Sequence, residues 1–585
     1  MGFGFAGIMR KFAVYPTSAI WPSVLPTLAL NKALLQAEPK EIINGWKISR
    51  YNFFLIAFIG SFLYFWFPNY LFQALSSFNW ITWIAPKNKT LAVVTGFNTG
   101  LGLNPISTFD WNILDYNGAL TIPFYSQLNQ YIGSFLAFFC IIGVWYSNYK
   151  WTGYLPINSN KLYTNTGARY QVTKILNSDK LLDKKKYAAY GPPFYTAANL
   201  VNYGSFIALY PFTFIYVGLT QWNHIRFAFG GLWGAVRDFK KSTYDGFHDT
   251  YSKSMRKYKE VPEWCFLVVL VISVVLAILC VKLYPMNTPV WTIFFALGIN
   301  FVFLIPLTLV YSITGFSFGL NVLVQLIMGY ALPGNGMALM FVKAIGYNID
   351  GQAQNYISDQ KQAHYVRIPP RALFRTQILS TLISCFISLA VINFSIEHVE
   401  HYCETGQKQR FTCPGANTFY SASVLWGVIG PERVFSQLYP ILKWCFLIGA
   451  LLAPIMFAVK KFFKKYEAIK YFEPVLIIGG FLIYAPFNLS YHTPGLIASF
   501  FFMNIIRNRY LNWFKKYNFL LSGALGAGVA FSSIIIFFAV QYHSKDINWW
   551  GNSVSYAGVD GTNFGNVPVK SAPEGYFGPR KGTFK

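Results

Sequence analysis

LYPMNTPVWTIFFALGINFVFLIPLTLVYSITGFSFGLNVLVQLIMGYALPGNGMALMFV, residues 283–342, runs for sixty residues without Asp, Glu, Lys, Arg or His. Soluble domains carry about 25% charged residues, and no water-soluble fold hides a stretch this long. About 20 apolar residues cross a bilayer as a helix, so the stretch makes several passes. Barrel strands alternate polar and apolar positions over about 10 residues, a pattern absent here. The rest of the chain agrees: its 585 residues are 54% hydrophobic and only 12% charged. Further uncharged or nearly uncharged runs cover Tyr51–Pro86, Tyr116–Tyr149, Trp264–Val281, Thr376–Ile396, Pro474–Ile506 and Tyr517–Ser544. The fold class expected is an all-α polytopic integral membrane protein, a multi-span helical bundle with broken or re-entrant helices, set in membrane lipid.

The net charge of +26 does not point to nucleic acid, because the basic residues fall in blocks between apolar runs, as orientation signals do. Three such blocks are Arg237–Lys259, Lys460–Lys470 and Arg507–Lys516; a fourth holds Lys361, Arg367, Arg371 and Arg375. The positive-inside rule places all four on the cytoplasmic face. Thr376–Ile396 then crosses outward, Glu397–Gln437 lies outside and Leu438–Val459 returns. Residues 474–506 begin and end in the cytoplasm, so they cross an even number of times. Two full spans need about 40 residues, more than this stretch contains. Its centre, Pro486-Phe-Asn-Leu-Ser-Tyr-His-Thr-Pro-Gly495, is dense in helix breakers. Two half-helices meeting at an unwound segment fit, and such backbone is tolerated at membrane depth where it is buried in protein or lines a cavity.

The sixty-residue run joins an outer end near Lys282 to a cytoplasmic end at Lys343, which requires an odd number of crossings. One span near Trp291–Leu309 followed by a broken pair centred on Pro333-Gly-Asn-Gly336 is preferred; three tight spans are the alternative. Paired broken segments are a pointer to a midplane substrate site in secondary transporters. The substrate path is therefore expected at Gly334, Asn335, Gly336, Asn488, Ser490, Tyr491, His492 and Thr493. The chain divides into an N-terminal membrane region (1–146), a long polar non-cytoplasmic loop (147–196), a span (197–222) and a basic cytoplasmic loop (223–262). A membrane region with a broken hairpin (263–346), a cytoplasmic loop (347–375), a C-terminal membrane region (376–544, outer loop 397–437) and a polar tail (545–585) follow.

Ionisable residues at membrane depth are functional candidates. His492, inside the interrupted hairpin, suits proton relay near neutral pH or hydrogen-bonded packing. Asp110 and Glu432 are the other proton-coupling candidates, set against a helix cap for Asp110 and a local pair with Arg433 for Glu432. Glu473 marks the end of a span. EHVEHYC (397–403) places His398, Glu400, His401 and Cys403 together, but a zinc site needs about four ligands in fixed geometry. A Cys403–Cys413 disulfide within one outer loop is favoured over a metal site, and no metal or cofactor is expected. Neither a P-loop nor the GxSxG and HExxH motifs occur, which argues against ATP-driven work and against an enzyme. In HYVRIPPRALFRTQ (364–377), Pro369 and Pro370 suit a helix entry, and Arg367 and Arg371 read as a membrane anchor or a gate.

Several long stretches resemble one family. ALPGNGMALMFVKAIGY (331–347), SDQKQAHYVRIPPRALFRTQ (358–377), CPGANTFYSASVLWGVIGPERVFS (413–436) and RYLNWFKKYNFLLSGALGAGVAFSSIIIFFAVQ (509–541) are similar to the oligopeptide transporter (OPT) family in its fungal form. GWKISRYNFFLIAFIGSFLYFWFPNYLFQALS (45–76) resembles the same family. The family's Lys-Ile-Pro-Pro-Arg signature has Arg367 in place of the lysine. The resemblance implies a secondary transporter, coupled to protons, for tetra- and pentapeptides or glutathione, or for metal chelates as in the plant branch. It places the protein in the plasma membrane, with an internal membrane as the alternative. The family's N-terminal Ser-Pro-Tyr to Glu-Val-Arg signature is absent, so the chain reads as N-terminally short. A non-transporting relic or regulator is the competing expectation.

Overall fold

The computed structural model describes residues 1–35, 42–179, 181–237, 247–403, 413–543, 545–561, 572 and 574–580. Lys240 and Lys241 of the first basic block, residues 404–412 of the outer loop, Ser544 and residues 562–571, 573 and 581–585 of the final tail lie outside the described residues. The chain is helical, and among the described residues eight helices are long and apolar enough to cross a membrane.

The principal helices are α1 (Gly2–Ala13), α2 (Leu25–Leu35), α3 (Arg50–Tyr64), α4 (Phe124–Tyr146), α5 (Ala197–Arg237), α6 (Glu263–Leu283), α7 (Trp291–Thr314), α8 (Asn321–Ala331) and α9 (Gly336–Val366). They continue with α10 (Pro370–His398), α11 (Pro414–Ala422), α12 (Ile441–Phe462), α13 (Pro474–Gly480), α14 (Thr493–Ser499) and α15 (Phe519–Ile536). Lipid gives helices no hydrophobic reason to associate, so close approach through small residues does the holding. A methyl group on Gly449 of α12 would lie 2.0 Å from the Ala208 carbonyl oxygen of α5. A methyl on Gly528 of α15 would lie 2.7 Å from Ser61 Cβ of α3, where Ser61 Oγ donates to the Leu525 carbonyl at 2.8 Å. α10 lies at the other extreme, with no buried residue at all.

The sixty-residue run holds one helix of spanning length, α7, followed by the 11-residue α8 and the start of α9, which are interrupted at Pro333–Gly336. Pro333–Gly336 is the tip between α8 and α9: Asn335 Nδ2 donates to Asn287 O at 3.0 Å and Leu182 N donates to Gly334 O at 3.2 Å. The tip thus sits beside the loop that precedes α7.

Three stretches read as loops are helical, each for a physical reason. Residues 347–366 continue α9, because their polar groups are satisfied inside the protein. Lys361 Nζ donates to Val14 O at 2.7 Å and to Pro16 O at 3.1 Å, Gln354 Nε2 donates to Asp350 Oδ1 at 3.0 Å, and Ser317 Oγ donates to Gln354 Oε1 at 2.8 Å. Within the outer segment 397–437, α11 and residues 423–429 form a half-length helix with Trp426 fully buried. Its tight fit on α8 and α9, where a methyl on Gly329 would meet Trp426 O at 2.3 Å, lets it bury without spanning. The helix begun at residue 197 passes residue 222 and reaches Arg237 through a non-helical Gln221.

Residues 474–506 are broken as expected: α13 ends at Gly480, the chain is irregular to His492, and α14 resumes the helix. Asn488, Leu489 and Ser490 at this break are fully buried.

Candidate functional site

The break between α13 and α14 borders a cavity of about 720 Å³, within the 300–1,000 Å³ range of small-molecule sites. The turn 115–122, α4, the segment 314–318 and the broken hairpin converge on it, joined by Ser23 and Pro26, Phe206 of α5 and Ser522 of α15. Its wall mixes hydroxyls and amides (Thr121, Ser126, Gln130, Ser317) with Phe206 and Phe316. Among the described residues, Asp115 is the one formally charged side chain in this wall and His492 its one imidazole.

Gly118, with φ of +66°, lets the chain after Asp115 turn back on itself, and Gln127 Nε2 of α4 donates to its carbonyl at 2.9 Å. Asn518 Nδ2 fixes the same turn through Leu120 O at 2.8 Å. This folding buries Asp115 Oδ1. The backbone N–H groups of Ala119 and Leu120 face the Asp115 carboxyl, and the side chain as a whole borders the cavity, where its negative charge attracts a cationic ligand.

His492 is held by α4. Its Nδ1 lies 3.0 Å from Ser134 Oγ, which also lies 2.9 Å from Gly480 O and 3.0 Å from Gln130 O. Tyr484 OH donates to Ser134 O at 3.0 Å. These contacts exist because α4 and α13 nearly touch: a methyl on Gly133 would lie 1.8 Å from Ile477 O, and one on Gly480 2.1 Å from Gln130 O. One imidazole nitrogen is thus tied to the helix pair while the ring borders the cavity.

The other expected path residues take scaffold positions. Asn488 Nδ2 donates to Phe97 O at 2.8 Å and Gly100 O at 3.0 Å; Ser490 Oγ donates to Gly102 O at 3.3 Å. Thr493 Oγ1 donates to Leu489 O at 2.9 Å, and Tyr491 packs against Phe97 and Tyr116 with ring centroids 5.3 and 5.6 Å apart. Gly334, Asn335 and Gly336 line none of this cavity; Asn335 Oδ1 caps α9 by accepting from Ala338 N at 2.9 Å.

Asp110 caps the short helix Trp111–Leu114, accepting from Asn112 N at 2.9 Å and from Ser76 Oγ at 3.0 Å. Glu432 is exposed at the start of a three-residue helix, and the neighbouring Arg433 donates instead to Ile429 O at 3.1 Å. Glu473 pairs with Lys460 at 2.6 Å. At the RIPPR turn, Arg367 is left-handed (φ +62°), Pro369 is the N-cap of α10, Pro370 starts that helix and Arg371 Nε donates to Glu260 O at 3.0 Å. Cys403 and Cys413 are joined, with S–S 2.01 Å, so the thiolate that a metal reading of EHVEHYC needs is already committed.

Asp115 was passed over in the sequence, where it reads as the last polar residue before the apolar run that opens at Tyr116. Its signal was the Asp-Tyr-Asn-Gly turn, which brings a carboxylate back toward α4.

Residues 1–540 match the family described as OPT oligopeptide transporter protein. The chain is 49% identical over 598 residues to Oligopeptide transporter 2 of Saccharomyces cerevisiae, covering 100% of this chain and 67% of that protein. It is 34% identical over 602 residues to Glutathione transporter 1 of Schizosaccharomyces pombe (99% of this chain, 68% of that protein). It is 32% identical over 577 residues to Oligopeptide transporter 7 of Arabidopsis thaliana (97% and 73%). With a helical membrane bundle, a cavity bordered by polar side chains and this similarity along nearly its whole length, the chain belongs to the OPT oligopeptide transporter family and is a transporter, not an enzyme.

Proposed function

We propose that this protein carries small peptides across the plasma membrane, that the cavity bordered by Asp115 and His492 holds the peptide, and that uptake is driven by protons. The observation that carries the reading is the charged Asp115 in the otherwise uncharged wall of a 720 Å³ cavity. A peptide offers one fixed positive group, its α-ammonium, which pairs with Asp115. Its amide groups are met by the hydroxyls and amides of Thr121, Ser126, Gln130 and Ser317. The names of the yeast relatives, one an oligopeptide and one a glutathione transporter, support this substrate class, since both ligands carry a free ammonium. His492, tied to Ser134 through one ring nitrogen, is the proton carrier.

The test is uptake of a labelled tetrapeptide by cells that lack other peptide uptake, with surface protein quantified. Asp115→Asn is expected to raise KM about 10- to 100-fold, the loss of one charge-assisted hydrogen bond, and N-acetylation of the peptide to do the same to the parent protein. Acetylated and free peptides entering equally well would exclude the role of Asp115. Uptake indifferent to a proton ionophore, or to His492→Ala, would exclude the coupling, and no uptake of any peptide would exclude the function.

A further inference from the structure

The segment after the last long helix is polar enough to read as a free tail, yet it is built into the membrane region. Trp549 Nε1 donates to Leu71 O at 2.9 Å, Ser555 Oγ to Ser77 O at 2.8 Å, and Val559 N to Pro86 O at 2.8 Å. At its end Asp560 is only 2% exposed. Its Oδ2 accepts from Asn79 Nδ2 at 2.8 Å, Phe97 N at 3.0 Å and Asn98 N at 3.3 Å; its Oδ1 accepts from Thr99 N at 3.0 Å and Thr99 Oγ1 at 3.2 Å. Three successive backbone N–H groups converging on one carboxylate form an anion nest. The fit is close enough to require glycine beneath it, since a methyl on Gly96 would lie 2.3 Å from Asp560 Oδ1.

The same peptide units face the broken hairpin with their other side. Carbonyl oxygens of Gly96, Phe97 and Gly100 accept from Asn488 Nδ2 at 3.4, 2.8 and 3.0 Å. Asn158 Nδ2 bridges Gly100 O and Phe487 O at 3.3 and 3.0 Å. Asn488 Oδ1 in turn accepts from Ser490 N at 3.0 Å, and His492 N donates to Leu489 O at 3.0 Å. A peptide unit is planar, so turning its N–H away from Asp560 turns its carbonyl away from Asn488. The turn 96–100 is a two-sided connector between the C-terminal segment and the residues that carry His492.

We infer that residues 550–561 are a clasp of the transport machinery, with Asp560 as a positioning residue that sets the break between α13 and α14 through the turn 96–100. It touches no substrate. Its part is to keep the hairpin tip, and thereby the His492 wall of the cavity, in one conformation. The inference rests on the peptide-transport reading only for its uptake readout.

Asp560→Asn tests it, since the amide replaces one acceptor oxygen by a donor that faces other donors. The purified full chain in lipid nanodiscs is compared with the parent by hydrogen–deuterium exchange. Exchange is expected to rise about 10-fold or more, the scale of one lost hydrogen bond to a charge, both at 94–104 and at 485–493. In cells, maximal peptide uptake falls while KM changes little, because the cavity's binding groups are intact. Thr99→Val, which removes only the Thr99 hydroxyl's contacts with Asp560 Oδ1 and O and leaves the three backbone N–H bonds, gives a smaller rise in both segments and serves if Asp560→Asn does not fold. Ser553→Ala, whose hydroxyl bonds only within the segment, leaves exchange and uptake at parent values. Faster exchange confined to 94–104, or none in either segment, overturns the inference. If the parent carries no peptide, the function proposed above fails while the exchange data still decide the clasp.

Discussion

Gly133→Ala puts the contact between α4 and α13 to a quantitative test. The new Cβ would lie 1.8 Å from Ile477 O and 2.7 Å from its carbonyl carbon. Both are backbone atoms, so no side-chain rotation relieves the clash. A relaxed carbon–oxygen contact is about 3.3 Å, so the two helices must part by about 1.5 Å. Overpacking of a tight contact costs about 1–3 kcal/mol. The same movement carries Ser134 Oγ out of hydrogen-bond range of Gly480 O and His492 Nδ1, now 2.9 and 3.0 Å away. Misplacing a functional group by about 1 Å costs about 100-fold in an enzyme; applied to His492, maximal peptide uptake is expected to fall about 10- to 100-fold. Uptake per surface molecule and the melting temperature of the detergent-solubilised protein are the two measurements. Gly143→Ala on the same helix is the control: nothing lies within 4 Å of its Cβ position, and alanine favours a helix over glycine by about 1 kcal/mol. If both variants melt and transport alike, the close contact does not hold the site and the reasoning fails.

Two further outcomes follow from other parts of the fold. Arg10, 3% exposed, pairs with Glu260 at 2.8 Å and with Glu263, and lies 4.8 Å over the Phe266 ring. Arg10→Ala is expected to cost about 3–5 kcal/mol by stranding its carboxylate partners, seen as loss of the monodisperse peak in size-exclusion chromatography; an unchanged peak would contradict this. The denatured, unreduced protein should take up five maleimide labels, at Cys140, Cys265, Cys280, Cys385 and Cys445, and seven after reduction. Seven labels without reduction would show that Cys403 and Cys413 are thiols.

Much of the bundle was legible because membrane crossing is a length constraint that a sequence displays directly. The break at 484–492 was legible for the same reason, since its 33-residue run is too short for two spans and too long for one. Charge counting failed where the protein supplies its own solvation. Asp350, Gln354 and Lys361 look like a cytoplasmic loop in sequence, but α1 and the 314–318 segment satisfy or enclose them and the helix continues. It failed again for Trp426, whose half-length helix is hidden by neighbours rather than by lipid. Of the candidate site, the position of His492 inside a break was readable from the sequence. Asp115 was not, because its cavity is assembled by a turn, a span and a hairpin far apart in the chain. Asn488 and Ser490 were expected to hold substrate; their polar groups instead hold backbone, a distinction that depends on which carbonyls lie opposite and is invisible to residue type.

The left-handed turn at Arg367 also sets a depth. Ile368 N donates to Ala363 O at 2.9 Å, closing α9 two residues before Pro370 opens α10. The 21 uncharged residues Thr376–Ile396 that follow span about 31 Å as a helix, close to the roughly 30 Å of a bilayer's hydrocarbon. α10 is therefore a ruler cut to membrane thickness, graduated by Arg371 and Arg375 at one end and by Glu397 and His398 at the other. Because the turn ties that ruler to α9, whose buried face runs beside α1 and α8, the bilayer's thickness is coupled through one short turn to the interior of the protein.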